Sequence, residues 1–335
     1  MHRRQFIAGI GGMAAWPLAA RAQQPALPVV GFVTARSAAS SERAVAAFRK
    51  GLRETGYIED RNVTIEYHWL DGQFDRLPAL MADLVRRRVA VIATPNNTLI
   101  TTTAKAATAA IPIPIVFSVG IDPVKTGLVA SFARPGGNAT GIHYFALELT
   151  AKRLGLLRAL APKATSVAIL VNPANRPSAD ETLRSVGDAA RSIGLQTKVL
   201  SASTSGEIDA AIAKLAHDRG DDGNANDVLF IAADGLFQSR SEQLVALAAR
   251  DKIPAAYPDR AAVAAGGLMS YGSDITEMYR QIGVYTGNVL KGAKPADLPV
   301  QQSTKFEFII NSKTAKALGL DIPVMLRVSA TELIE

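Results

Sequence analysis

The polar side chains best able to grip a small molecule stand in short loops that follow apolar runs. Thr34, Arg36 and Ser37 come after the run Pro28 to Val33, and Thr94, Asn96, Asn97 and Thr98 after Val89 to Ala93. Ser118 and Asp122 follow Ile113 to Phe117, Asn172 and Asn175 follow Ser166 to Val171, and Asp234 to Phe237 follow Val228 to Ala232. The planar fork of Arg36 suits a carboxylate, which it can pair through two parallel hydrogen bonds. Asn97 and Thr98 stand where a helix begins, so they cap it, leave free N–H groups that bind a carboxylate, or do both. Asp234 is the expected partner for a ligand ammonium, because Ser239 is better placed to cap the helix that follows. Phe237 either stacks on a ligand or packs beneath its loop, and for a lone aromatic packing is the commoner fate. Asp122-Pro123 reads as a turn initiator.

Little in the chain supports catalysis. It has no cysteine, which excludes a disulfide framework, a thiol nucleophile, an Fe–S cluster and a cysteine zinc site. With four histidines a His-rich metal site is not expected, and neither is a cofactor. There is no G-x-S-x-G elbow, H-E-x-x-H or Walker loop. His68 alternates with strand residues and His217 ends a surface helix, so both are expected to face solvent. His143 alone merits attention, because it falls at the junction of two lobes.

The elements that must position these loops follow from the hydropathy pattern. The 335 residues exceed what one hydrophobic core organises, so two domains are expected. From Pro28 onward, short β-branched apolar runs alternate with longer amphipathic stretches, the pattern of βαβ units and parallel sheets. A helix is expected from Ser41 to Thr55, with Val45, Phe48 and Leu52 on one face and Gly56 as its stop. The alternating strand Val63 to Trp69, a helix from Asp75 to Arg88, and a helix from Leu99 to Ala110 between the strands at 89–93 and 113–117 complete one doubly wound lobe. The pattern then restarts. Helices Leu149 to Leu160, Pro177 to Ile193, Gly206 to His217 and Ser239 to Arg250 alternate with strands at 166–171, 196–200, 228–232, 254–257 and 267–271. The stretch Asp218 to Asp227 reads as a solvated loop. Helices Ile275 to Leu290 and Ser312 to Leu318 flank a last strand, Lys305 to Ile310. Two such lobes imply a cleft in which two sets of strand ends face one ligand.

Residues 1–22 combine a basic start at Arg3 and Arg4, an apolar stretch from Phe6 to Ala20, and the small-x-small end Ala20-Arg21-Ala22. This is the pattern of an export signal cleaved after Ala22, and its apolar stretch is too short to span a bilayer. The run Arg3-Arg4-Gln5-Phe6-Ile7 resembles a twin-arginine signal. Removing Arg3, Arg4 and Arg21 takes Lys+Arg from 37 to 34 against 30 acidic residues, so the net charge falls from +7 to +4. That weakens any nucleic-acid reading. The run Arg86-Arg87-Arg88 closes a helix, where cations complement the dipole.

Several segments together resemble the substrate-binding proteins of ABC transporters, in the family that includes the tryptophan-binding TrpX-like proteins. They are Asp122 to Gly141, Lys152 to Leu160, Val167 to Asn175, Ser239 to Tyr257, Gly266 to Tyr271 and Val284 to Ala317, and the likeness covers essentially the whole chain after the signal. The resemblance implies an α/β protein with the type I periplasmic binding fold, two doubly wound Rossmann-like lobes joined by a three-crossing hinge. The crossings would lie near His143, Gly267 and Leu298, giving one lobe from 28–143 plus 268–297 and another from 144–267 plus 298–335. It also implies a periplasmic monomer, not embedded in the membrane, that hands a small polar solute to an inner-membrane permease. By the same match Arg36, Ser37, Asn96, Asn97, Thr98 and Ser118 would line one wall of the cleft. Asn172, Asn175, Asp234 and Phe237 would line the other, with Tyr144 and Tyr271 at the crossings. Asn96-Asn97 replaces the smaller residues usual after Thr94-Pro95, a departure that bears on ligand identity. Three rivals are a receptor serving a signalling partner, an exported enzyme on the same fold, and a DNA-binding regulator, which would need a helix-turn-helix where this chain has its export signal.

Overall fold

The computed structural model describes residues 27–146, 148–218 and 227–335. The expected export signal and nearly all of the expected loop Asp218 to Asp227 lie outside the described residues. The chain first forms β1 (Val29–Thr34), α1 (Glu42–Glu54), β2 (Thr64–Trp69), α2 (Leu77–Arg86), β3 (Val91–Thr94), α3 (Thr98–Ala107), β4 (Ile115–Val119) and β5 (Ala139–His143). There follow α4 (Glu148–Leu160), β6 (Ser166–Val171), α5 (Arg176–Ser192), β7 (Gln196–Ser201), α6 (Ser205–Asp218), β8 (Asp227–Ile231), α7 (Gly235–Ser239), α8 (Ser241–Arg250), β9 (Ala255–Tyr257), α9 (Arg260–Ala264) and β10 (Met269–Ser273). The last elements are α10 (Ile275–Leu290), β11 (Gln301–Gln302), β12 (Phe306–Asn311), α11 (Ser312–Ala317), α12 (Val324–Ser329) and β13 (Glu332–Ile334).

These strands make two sheets, ordered β11-β5-β4-β3-β1-β2 and β13-β12-β10-β9-β8-β6-β7. Strands β1, β3, β4, β6 and β8 are buried almost end to end, because helices cover both faces of a parallel sheet; this is why they read as continuous apolar runs. At the edge, β7 shows mostly exposed residues. One pairing departs from the all-parallel expectation, since β12 runs antiparallel to β10. His68 in β2 is half-buried, with Glu66 3.7 Å away, rather than fully solvent-facing.

The hinge is set by which sheet each strand joins. The chain first crosses after β5, because α4 packs on α5 and the second sheet. The crossings expected near Gly267 and Leu298 come later. Strand β10 still belongs to the second sheet and β11 to the first, so these crossings follow Ser273 and Gln302. Between them α10 returns to the first lobe, where it packs along α1. Their backbones touch at glycines: a Cβ on Gly51 would lie 1.9 Å from the Arg280 carbonyl oxygen, and one on Gly283 2.1 Å from that of Phe48. The first lobe buries apolar clusters on both faces of its sheet, Phe32, Phe48 and Tyr279 on one and Met81, Leu84 and Phe117 on the other. The second lobe has a single larger core around β6, β8 and β9.

Candidate functional site between the lobes

The loop after β3 begins the site. Asn96 takes a left-handed backbone (φ 58°), a conformation asparagine tolerates better than most residues. Its amide donates to Ser118 Oγ at 2.7 Å. Asn97 then caps α3, its Oδ1 accepting from the Ile100 amide at 2.9 Å. The capping role expected of this loop is therefore seen, and the capped helix start also borders the cleft.

Two adjoining cavities separate the lobes. Asn96, Asn97, Thr98 and Gly120 line the first from one side, and Arg153, Asn175, Ser178 and Thr182 from the other, with Tyr144 and Ala146 at the hinge. The second shares Asn96, Tyr144 and Arg153 and adds Gln238, Tyr271 and Ser273. The cavities are small, about 20 Å³ and about 30 Å³, with room for roughly one or two waters each.

Asp234 departs from the expected role. It is the N-cap of α7, its Oδ1 accepting from the Leu236 amide at 2.9 Å. Its carboxyl also takes the side-chain NH₂ groups of Asn172 (2.9 Å, to Oδ1) and Asn175 (2.8 Å, to Oδ2). Burial pushes its pKa up, opposed by the hydrogen bonds from Asn172, Asn175 and Leu236. An ionised carboxylate only accepts, so it turns both amides donor-inward and their oxygens outward. Asn172 Oδ1 is satisfied by the Ala174 amide and the Ser203 hydroxyl, both at 3.0 Å. Asn175 Oδ1 is buried with no partner among the described residues, and Asn175 lines the first cavity. Ser239, the cap expected from sequence, serves elsewhere: the helix expected from Ser239 begins at Gly235 and is divided at Arg240 into α7 and α8.

Helix α7 is where the lobes touch. Ser239 Oγ accepts from the Ser37 amide at 2.8 Å, and Gln238 Oε1 from Asn96 Nδ2 at 3.0 Å and Arg36 Nη1 at 3.5 Å. Arg240 pairs with Asp71 at 2.9 Å. Gly235 presses so close to Ala35 that a Cβ on it would lie 2.4 Å from the Ala35 Cβ. Since Asp234 caps this helix and orients Asn175, one carboxylate links the cavity wall to the contact between lobes.

The expected wall residues therefore divide. Asn96, Asn97, Thr98, Tyr144, Asn175 and Tyr271 border the cavities. Ser118, Asn172 and Asp234 stand one layer behind, holding those that do. Arg36 donates to the Ser40 carbonyl (2.6 Å) and to Gln238, keeps a buried Nε without a partner among the described residues, and borders a third pocket lined by Arg43 from its own lobe and by Asp259 and Arg260 from the other. Ser37 contributes its amide to the lobe contact. Phe237, 2% exposed, packs in the core of the second lobe. His143 packs between Phe132 and Phe145, each ring tilted to it by more than 50°. Asp122 initiates a turn as expected, accepting from the Val124 and Lys125 amides.

Sequence reasoning missed Arg153. This side chain on α4 is 5% exposed and lines both cavities. Its Nη2 donates to the Ile231 carbonyl at 3.0 Å, and its guanidinium lies 4.0 Å from the centre of the Phe230 ring. Burial pushes its pKa down to about 9, with Asp259 opposing the shift from a distance, so it stays charged at neutral pH. A signal was available. Arg153 precedes the buried Leu157 and Leu160 by four and seven positions, so a cation occupies the apolar stripe of its helix.

The family model for ABC transporter substrate-binding proteins matches residues 27–334. The chain belongs to that family. A curated relative, the tyrosine-binding protein of Clostridioides difficile (strain R20291), is 29% identical over 286 residues, covering 84% of this chain and 78% of that protein. Among solved structures, the ABC domain from Streptococcus pneumonia in complex with L-Trp has a TM-score of 0.79 at 24% identity, covering 92% of this chain and all of that one. A conserved domain protein from Vibrio cholerae gives a TM-score of 0.80 at 24% identity, covering 91% and 99%. The two α/β lobes are those of the type I periplasmic binding fold. Among the described residues no helix is long and apolar enough to cross a membrane, and no group of acidic and histidine side chains could hold a metal ion.

Proposed function

We propose that this protein is the solute-capturing component of an ABC-type importer, exported to the periplasm with its signal cleaved after Ala22. It takes an amino-acid-like, aromatic solute between its lobes and delivers it to an inner-membrane permease as a non-enzymatic monomer. The observation that carries this reading is the pair of cavities at the lobe junction, into which polar side chains converge from both lobes and the hinge. A solute touching both walls binds the closed state better than the open one, and so shifts the population toward closure. The space in these two cavities is far below the size of an amino acid, so entry to them requires the lobes to part. The amino-acid class rests on the tyrosine-binding relative and the L-Trp complex. Among the described residues no carboxylate or histidine lines either cavity, which supports a receptor over an enzyme, because no general base there stands beside a hydroxyl nucleophile.

Calorimetric titration tests this directly. The chain from Gln23 onward, unfolded and refolded to strip carried-over solute, is titrated with L-tryptophan, L-tyrosine and L-phenylalanine, and with aliphatic amino acids and sugars. Saturable binding of an aromatic amino acid, with a more compact scattering profile when bound, is the expected result. Binding of none of them, or conversion of one to a product, would overturn the reading.

A further inference from the structure

Arg153 is a charged side chain in a place where charge is expensive. It is 95% buried, being 5% exposed, and its Nε has no hydrogen-bond partner among the described residues. No carboxylate among them lies within ion-pair distance of it. The Ile231 carbonyl and the face of Phe230 supply its near contacts, neither carries a formal negative charge, and the Asp259 carboxylate acts on it only from beyond ion-pair distance. A buried cation without a counter-ion destabilises the fold unless something completes it. Facing Arg153 across the first cavity is the start of α3, a helix of ten residues. Its first N–H groups lack intrahelical acceptors and favour an anion. On the same wall as Arg153 the polarity reverses, because Asn175 Oδ1 is a buried acceptor with no partner.

We infer that Arg153 binds the carboxylate of a zwitterionic solute, assisted from the other lobe by the start of α3, while Asn175 Oδ1 accepts a hydrogen bond from the solute's ammonium. This rests on the solute-receptor reading above and deepens it by assigning the recognition chemistry to particular atoms. The carboxylate would then sit between a second-lobe guanidinium and a first-lobe helix end, so binding it holds the lobes together. Asp234 acts through Asn175 as a positioning residue. Any solute chain beyond the α-carbon would extend toward Tyr144 and Tyr271, which border the second cavity.

The experiment titrates the chain from Gln23 onward with three indole compounds: L-tryptophan, tryptamine without the carboxylate, and indole-3-propionate without the ammonium. If L-tyrosine proves the better solute, tyramine and the matching phenylpropionate take their places. Loss of the carboxylate is expected to weaken binding about 100-fold or more, the scale of truncating one partner of a buried charge pair. Loss of the ammonium is expected to weaken it about 10-fold or more. In Arg153→Met the amino acid should bind about 100-fold more weakly, and the penalty for lacking a carboxylate should vanish. The thermal midpoint of ligand-free Arg153→Met should stay level or rise, because an unpaired buried charge has been removed. A residue with a purely structural role would lower it. If no aromatic amino acid binds the unmodified protein, the receptor reading itself fails. If tryptophan binds and tryptamine binds equally well, or Arg153→Met keeps full affinity, the receptor reading survives and the assignment of Arg153 falls. Should the Met variant fail to fold, the three-compound series on the unmodified protein still decides.

Discussion

Replacing Asp234 separates the duties that its carboxylate performs. In Asp234→Ala, α7 loses its cap, a loss of about 1 kcal/mol. The side-chain NH₂ groups of Asn172 and Asn175, now held at 2.9 and 2.8 Å, lose their acceptor at buried positions, at about 1–3 kcal/mol each. Relief from burying a carboxylate, whose pKa burial already raises, offsets part of this. A net loss of about 3 kcal/mol is expected, which for a lobe of this size lowers the midpoint by about 6–12 °C. Asp234→Asn should behave differently. Asparagine caps as well as aspartate and keeps the volume, so the stability loss should stay under about 1 kcal/mol. Its own NH₂ would then face Asn175, whose amide must turn over and present a donor to the cavity. The expected outcome is near-native melting with at least about 10-fold weaker binding of the amino acid. Scanning calorimetry and titration of both variants provide the check. A loss under about 1 kcal/mol in the alanine variant, or undiminished affinity in the asparagine variant, would refute the claim that one carboxylate organises this wall.

Other perturbations probe the lobe contact and the hinge. Gln238→Ala leaves Asn96 Nδ2 and Arg36 Nη1 without their shared acceptor; loss of about 0.5–1.5 kcal/mol of closure energy should weaken solute binding about 2- to 10-fold by titration, with the melting midpoint little changed. Arg240→Ala removes a half-exposed ion pair to Asp71, so affinity should fall by less than about 5-fold, and the difference should shrink as salt is added. Gly283→Ala forces a Cβ toward the Phe48 carbonyl, 2.1 Å away; a loss of about 1–3 kcal/mol or more in the denaturant midpoint is expected as α10 is pushed off α1. The Arg280 guanidinium beside Glu277 holds its carboxyl down at about 2. Because this folded value lies below the unfolded one, the stability it contributes is present above about pH 4.5 and is lost as pH falls toward 2. Acid titrations of Glu277→Gln should show a shallower decline over that window.

Much of the architecture was legible before any coordinates. The two rounds of apolar run and amphipathic stretch, the Gly56 stop after α1 and the capping position of Asn97 all report local rules, in which burial on both faces of a parallel strand writes a continuous apolar run. The hinge was less legible. Strand β10, with two serines and a glycine among its five residues, carries no pattern that assigns it to a sheet, and β11 is two residues long, so their membership depends on pairing partners distant in sequence. The site was read by residue type after strand ends. That reading picked out Asn96, Asn97, Thr98 and Asn175, which border a cavity, and it did not foresee that Asp234 caps α7, a five-residue helix too short to show a period. It also placed Phe237 on the cleft, where the core of the second lobe claims it.

Sequence alone determined the class of protein here: a chain without cysteine, two α/β lobes in tandem, and strand-end loops rich in hydrogen-bonding side chains. Those features depend on composition and on periods of two to four residues, which a linear chain displays. The tertiary structure decided which polar groups face the cleft and which hold them there. It placed Arg153 in the cavity, a position that the apolar stripe of its helix marks as buried without saying what the side chain faces. It also joined Asp234 to Asn172 and Asn175 across some sixty positions of chain. Whether a charge is paired, and which way an amide points, depends on atoms brought together by folding, and no local pattern records them.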